Sequence, residues 1–199
     1  MLNIPTMMKA ARFYEVNQRL KIEDIPVPVI KEDEVLVKVK AVGLCGSDIH
    51  VVYEGITPTA YRPITLGHEA SGVIAVVGSL VNDWEVGNRV SISPILNCGS
   101  CQHCISGNSN ICKNRKVIGF HTDGALAEYL AVPAKNLVQL PEEVDFNSGA
   151  LVSDAIATSF HALVDRAGLR IGESIAIFGA GGLGLHAVQI AKISGAFLL

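Results

Sequence analysis

With 199 residues, 49% of them hydrophobic, the chain has ample apolar side chains for one large core or two small ones, which excludes a disordered polypeptide. Its 16 basic and 19 acidic residues give a net charge of -3, too little positive charge to neutralise phosphates, so nucleic acid is not an expected partner. The first residues lack an apolar h-region followed by a small-residue cleavage site, so no secretory signal is supported and a cytoplasmic location is the default expectation.

Met7 and Met8 lie just before the first strand-like segment, leaving residues 1–6 as a dispensable extension. Val35, Val37, Val39 and Ala41 then alternate with Leu36, Lys38 and Lys40, and Gly72 to Val77 forms a second β-branched run closed by Gly78. Turn residues punctuate these runs, including Pro26, Pro28, Pro63, Asn82-Asp83 and Gly87-Asn88, which suggests an irregular antiparallel barrel. Near residue 150 the pattern changes. Ile156, Phe160, Leu163 and Val164 fall at helical spacing, with Ser153 or Asp154 placed to cap the start. Ile175 to Phe178 reads as a short buried strand, a glycine cluster follows, and Leu183, Ala187, Ile190 and Ala191 mark another helical stripe. Ser174 to Ala191 carries no formal charge, but Gly179, Gly181, Gly182 and Gly184 in its middle suit a turn, so no membrane partner is expected.

Four of the five cysteines, Cys98, Cys101, Cys104 and Cys112, are spaced C-x2-C-x2-C-x7-C. Thiolates two residues apart converge on one ion through tight turns, and four of them complete a closed tetrahedral zinc shell with no open position for chemistry. Two disulfides are the bland alternative, for which nothing marks the chain as secreted. An iron–sulfur cluster is the sharper rival, since the first three cysteines match part of a ferredoxin run, although the fourth arrives late and lacks a following proline. His103, inside the cluster, reads as a solvated loop residue because four thiolates already fill the shell.

The fifth cysteine stands in Gly43-Leu44-Cys45-Gly46-Ser47-Asp48-Ile49-His50, and downstream Gly67-His68-Glu69 with Gly72, Gly78 and Val81 reads G-H-E-x2-G-x5-G-x2-V. At every defined position this resembles the zinc signature of the zinc-containing alcohol dehydrogenases of the medium-chain dehydrogenase/reductase superfamily. The resemblance implies Cys45 and His68 as ligands of a catalytic zinc and Asp154 as the third, where other members carry Cys or Glu. In this it looks like the secondary-alcohol dehydrogenases. Three protein ligands leave a fourth place for water or substrate. Glu69 would serve as an alternative or water-exchange ligand and Asp48 as a partner for His68. An Asp before a helix is commonly just a cap, and Glu69 and Asp48 could be ordinary surface carboxylates. The cysteine quartet falls where the family holds its structural zinc.

Gly179-Ala180-Gly181-Gly182-Leu183-Gly184 reads G-x-G-x-x-G after a strand and before a helix. In a dinucleotide fold the first glycine makes the turn, the second admits the pyrophosphate and the third lets helix and strand pack, with free N–H groups of the helix facing the phosphates; a glycine-rich packing turn is the other reading. By resemblance Thr158 stands near the nicotinamide, unless it is a plain helix residue. The acidic residue that would hold the ribose is expected about 20 residues beyond the motif, past Leu199, so a truncated dinucleotide domain is expected.

The expected fold is mixed α and β. Residues 1–153 form a GroES-like irregular β-barrel catalytic domain, and residues 154–199 a linking helix and the first βα unit of an incomplete Rossmann fold. The expected cofactors are two Zn2+ per chain, one catalytic and one structural, and NAD or NADP. The resemblance implies hydride transfer between an alcohol or its carbonyl product and the nicotinamide, with zinc acidifying the alcohol. Ser47 and His50 are candidates for the proton route, against readings as a turn-capping serine and a surface histidine. If full length, the protein is expected to be a homo-oligomer. Rival functions are a non-catalytic zinc-binding remnant that cannot grip a dinucleotide and an iron–sulfur electron carrier; a zinc-free quinone reductase is disfavoured by the complete ligand set.

Overall fold

The computed structural model describes residues 4–199. Its strands begin with β1 (Met7–Phe13), β2 (Lys21–Pro26) and β3 (Glu34–Gly43), followed by the short helix α1 (Gly46–Ile49). Next come β4 (Ile64–Thr65), β5 (Glu69–Val77), β6 (Arg89–Ile92) and β7 (Ile95–Leu96). After the one-turn helix α2 (Gln102–Ile105) come β8 (Lys116–Val117), β9 (Tyr129–Pro133) and β10 (Leu137–Gln139). The central sheet has the order β10-β6-β5-β3-β9, all antiparallel, and β2-β1-β4 forms a second sheet. This is the mixed α and β, GroES-like irregular barrel expected.

β3 shows why the barrel is irregular. Val35 and Val37 enter the main core with Ile74, Val90 and Val132, while Leu36 enters a second core with Met8, Ala75 and Tyr129. Both faces of the strand are therefore covered, and Leu36, which the alternation put with the lysines, is buried. The β3–β5 register slips twice, at Leu36/Val37 and Val39/Ala41, and such bulges bend a strand and raise its twist. The amino-terminal extension also packs: Thr6 O accepts a hydrogen bond from Val27 N at 3.0 Å and Ile4 lies against the second core. Residues 4–6 are thus part of the barrel edge, a correction to their reading as dispensable; residues 1–3 lie outside the described residues.

The helical run begins earlier than Ser153. It starts as α3 (Phe146–Leu151), widens into a π turn over Val152–Ile156, continues as α4 (Ala157–Phe160) and ends in a second π segment, His161–Arg166. Asp145 is the cap, accepting from the amides of Asn147 (2.9 Å) and Ser148 (3.0 Å), so the expectation that Ser153 or Asp154 caps the start is overturned. Phe146-Asn147-Ser148-Gly149 is a weak helix former on propensity. Packing dictates it, since a Cβ at Gly149 would meet the Leu140 side chain at 2.7 Å. Ser71 Oγ donates to Phe146 O (2.5 Å), and Arg89 donates to the Pro141, Glu142 and Val144 carbonyls while stacking 4.6 Å over the Phe146 ring. The helix start is therefore pinned to β5 and β6.

Beyond α3, whose Gly149 and Ala150 are buried, the buried stripe of this run is Ala155, Ser159 and Leu163, while Phe160 is 48% exposed. The expected face of Ile156, Phe160, Leu163 and Val164 is rotated by one position. Two small residues in the stripe admit α5 (Gly182–Ile193) closely enough for Ser159 Oγ to reach Leu183 O at 2.9 Å. The last strands, β11 (Ser174–Ile175) and β12 (Phe197–Leu198), pair in parallel across α5, a βαβ unit. Ile175 to Phe178 is not a buried strand as expected: pairing stops at Ile175 and Phe178 is 97% exposed, because one neighbouring strand and one helix cannot enclose it. Among the described residues no helix is long and apolar enough to cross a membrane.

Replacing Asp145 with Ala should lower the melting temperature, whereas Asp145→Asn should retain most of it, since Asn caps nearly as well. The Ser148 hydroxyl and amide hold the Asp145 carboxyl below its ordinary range. Its contribution is therefore complete above that range and lost as pH falls through the lowered value. Thermal melts should show the wild-type advantage over Asp145→Ala shrinking in strong acid.

Candidate functional site

The lobe between β7 and β8 is built by the cysteines rather than by a core. Among its residues only Cys112 is fully buried. The sulfurs stand 3.5 Å (Cys98–Cys112), 3.6 Å (Cys101–Cys104), 3.8 Å (Cys101–Cys112) and 3.9 Å (Cys98–Cys104) apart. Disulfide sulfurs would be bonded at about 2 Å, whereas four thiolates at about 2.3 Å from one zinc ion would lie about 3.8 Å from each other. The Cys101 amide donates to Cys98 Sγ at 3.4 Å and the Cys98 amide approaches Cys112 Sγ at 3.5 Å. Amides of Ser100 and Cys101 bring the Cys98 thiol down to about 5, while burial and neighbouring thiols push Cys104 up to about 12. One thiol ionises readily and another resists, as expected where a cation is needed to hold all four as thiolates. His103 is half-buried on α2 and outside this ligand group.

The second constellation is assembled from three elements. Cys45 immediately precedes α1, His68 immediately precedes β5, Glu69 opens that strand, and Asp154 projects from the π turn of the helical run. Gly67 has φ of +92° and turns the chain into His68, a conformation that a Cβ would strain. One potential ligand atom from each of Cys45, His68, Glu69 and Asp154 lies within 4.8 Å of the others. His68 Nε2 is 3.2 Å from Asp154 Oδ2, and Cys45 Sγ is 3.8 Å from the same oxygen. Tetrahedral zinc would separate such pairs by about 3.4 and 3.6 Å. The donor set therefore fits a divalent cation.

Charge supports the same fit. Burial alone would lower the His68 imidazole, yet Asp154, Asp48 and Cys45 outweigh it and push His68 up to about 12. His68 in turn lowers Cys45 and Asp154. Burial, followed by repulsion from Asp154, raises Glu69. Such a group of acids around one imidazole calls for a positive charge at its centre.

Glu69 and Asp48 are 2% and 7% exposed, which overturns their reading as ordinary surface carboxylates. Gly43 makes room for Glu69: a Cβ there would strike its carboxylate. Asp48 Oδ2 accepts the Cys45 amide at 3.0 Å, and its Oδ1 faces His68 Nδ1 at 3.6 Å, both atoms being buried without another partner. Asp48 thus bridges the Cys45 loop and the His68 ring. Ser47 Oγ is 3.4 Å from Cys45 Sγ, and half-exposed His50 places Nδ1 2.8 Å from Glu54.

The glycine turn closes the picture. Gly179 has φ of +98°, Gly181 caps α5, and a Cβ on Gly184 would collide with the Gly179 carbonyl, whereas one on Gly181 would meet nothing within 4 Å. These are the separate duties of turn, close packing and open approach that a dinucleotide turn assigns to its glycines. Cys45, Ser47, His50 and Glu69 line one wall of a cleft of about 530 Å³, and Gly179, Gly181, Gly182, Leu183 and Gly184 line the other. Thr158 is outside this lining; its hydroxyl donates to Asp154 Oδ1 at 2.7 Å. Three neighbours had no sequence signal. The Phe120 ring lies 5.0 Å from His68, and Phe178 and His186 line the cleft. Only the tertiary packing brings them there.

Residues 31–142 match the alcohol dehydrogenase GroES-like domain. Over 196 residues, 97% of this chain and 55% of its relative, the sequence is 39% identical to a sorbitol dehydrogenase of Bacillus subtilis. An alcohol dehydrogenase of Geobacillus stearothermophilus is 37% identical over 94% of this chain and 56% of its own. Among solved structures, an NAD-dependent alcohol dehydrogenase superposes with a TM-score of 0.91 at 34% identity, covering 96% of this chain and 57% of that one. A cobalt- and zinc-bound thermostable alcohol dehydrogenase from Pyrobaculum aerophilum gives 0.90 at 33% identity, covering 96% and 58%. The chain spans about half the length of the curated relatives it matches. By its GroES-like domain and these relatives, the chain belongs to the zinc-containing alcohol dehydrogenases of the medium-chain dehydrogenase/reductase superfamily.

Proposed function

We propose that this chain carries the zinc centres and the first part of the cofactor site of an NAD(P)-linked dehydrogenase acting on a secondary alcohol or polyol. The observation that carries this reading is the shared cleft, with Cys45 and Ser47 on one wall and the glycine turn on the other. Cys45, His68 and Asp154 would hold the catalytic zinc, with Glu69 as the alternative ligand, and Cys98, Cys101, Cys104 and Cys112 the structural one. The two-domain division at residues 153 and 154 belongs to this reading, although the helical run crosses it. The sorbitol dehydrogenase relative supports a polyol, and a cytoplasmic homo-oligomer is carried forward with it.

When bound, the catalytic zinc supplies a Lewis acid that makes the substrate hydroxyl more acidic. The chain's own residues do the rest. Ser47, beside Cys45, would take up the hydroxyl proton while releasing its own, and His50, half-exposed and lining the same cleft, would carry that proton to solvent. Asp48, through the Cys45 amide and the His68 ring, fixes the ligand loops against one another. The free amides at the α5 N-terminus around Gly181 would hold the pyrophosphate of NAD(P), and Thr158 and Leu183 are carried as further candidate cofactor-binding residues. A non-catalytic zinc-binding protein that cannot grip the dinucleotide is the second reading.

The purified chain should contain two zinc ions. Cys104→Ser should lose one and melt at lower temperature, and Cys45→Ser should lose the other with a smaller thermal effect; elemental analysis that finds one ion in the unsubstituted chain would sink the catalytic-zinc assignment. Calorimetry with NAD and with NADP should detect binding of one of them, and no heat from either favours the second reading. Because a Cβ at Gly181 has open space, Gly181→Ala should fold normally yet weaken that binding by about tenfold or more.

A further inference from the structure

We infer that Thr158 is a positioning residue for the metal site, reserving one oxygen of Asp154 for the ion and holding the other away from it. The inference deepens the zinc reading above and rests on it. Asp154 sits on the π turn and Thr158 follows one turn later on α4. Thr158 Oγ1 donates to Asp154 Oδ1 at 2.7 Å, whereas Oδ2 stands 3.2 Å from His68 Nε2 and 3.8 Å from Cys45 Sγ. The two oxygens therefore face different partners.

The division has a chemical consequence. A carboxylate free to turn about its Cβ–Cγ bond can offer both oxygens to one cation. Here Cys45, His68 and Glu69 already present ligand atoms within 4.8 Å of Asp154. A second oxygen from Asp154 would crowd the place that a catalytic centre must keep for substrate. A hydroxyl that engages Oδ1 holds the carboxylate to one-oxygen binding through Oδ2. Packing does not explain Thr158: beyond α3 the buried stripe of the helical run is Ala155, Ser159 and Leu163, and Thr158 is exposed. A ligand longer than Asp, such as Glu, would reach from a different height, so this pairing is specific to Asp four residues before Thr.

The test loads the chain with Co2+ in place of zinc and compares Thr158→Val, Thr158→Ala and Thr158→Ser. Loss of the hydroxyl in Val and Ala should weaken metal affinity at this site about 10- to 100-fold by chelator competition. It should also dim the visible cobalt bands as coordination rises above four. Ser should restore both. The cobalt–thiolate bands of the four-cysteine lobe should be unchanged in all variants, reporting that each is folded. Equal affinity and spectra in Val and wild type would overturn the inference alone, as would loss in only one of Val and Ala, or failure of Ser to rescue. An unsubstituted chain that never takes a second metal ion would instead overturn the catalytic-zinc reading on which it stands.

Discussion

Gathering a thiol, an imidazole and two carboxyl groups in a largely buried space is unfavourable unless a positive charge offsets their mutual repulsion and lost hydration. That constraint organises the molecule. Cys45 and His68 come from the barrel, but Asp154 comes from the helix that leaves it, so the centre exists only if the helix is held in one place. Asp145, Ser71 and Arg89 do this at the helix start, nine residues before Asp154. The π turn at Val152–Ile156 then points Asp154 inward, a widening of the helix often found at functional positions.

The same helix links the candidate metal site to the glycine turn. One face carries Asp154 and Thr158, and another carries Ala155 and Ser159, which receive α5. Small residues on that face let the glycine turn approach the Cys45 wall, so the candidate metal ligands and the glycine turn line one cleft. The cysteine lobe stands apart from this arrangement. It has almost no core of its own, and its shape follows from sulfur-to-sulfur spacing matched to a tetrahedral ion.

Much of the site was legible because its motifs are local. Cys98 to Cys112, Gly67-His68-Glu69 and Gly179 to Gly184 each demand a particular backbone within a few residues, and that demand shows as residue type and spacing. The helix was less legible. Gly149 and Asn147 argue against a helix by propensity, and the cap at Asp145 was missed in favour of Ser153 or Asp154. The buried stripe was also misread, because Ala155 and Ser159 are buried by α5 rather than by their own hydrophobicity. Ile175 to Phe178 looked like a core strand on composition, but burial depends on how many neighbours a strand has.

The amino-acid sequence by itself determined the ligand types, the glycine turn and the alternation that makes a barrel, since each is set by chemistry or backbone geometry over a short span. Tertiary structure alone decided that Glu69 and Asp48 are buried, that Thr158 engages Asp154, and that the Phe120 ring packs, tilted, against His68. Those outcomes depend on how elements far apart in the chain pack, and no local spacing encodes the distance between a β5 carboxylate and a helix that begins nearly eighty residues later.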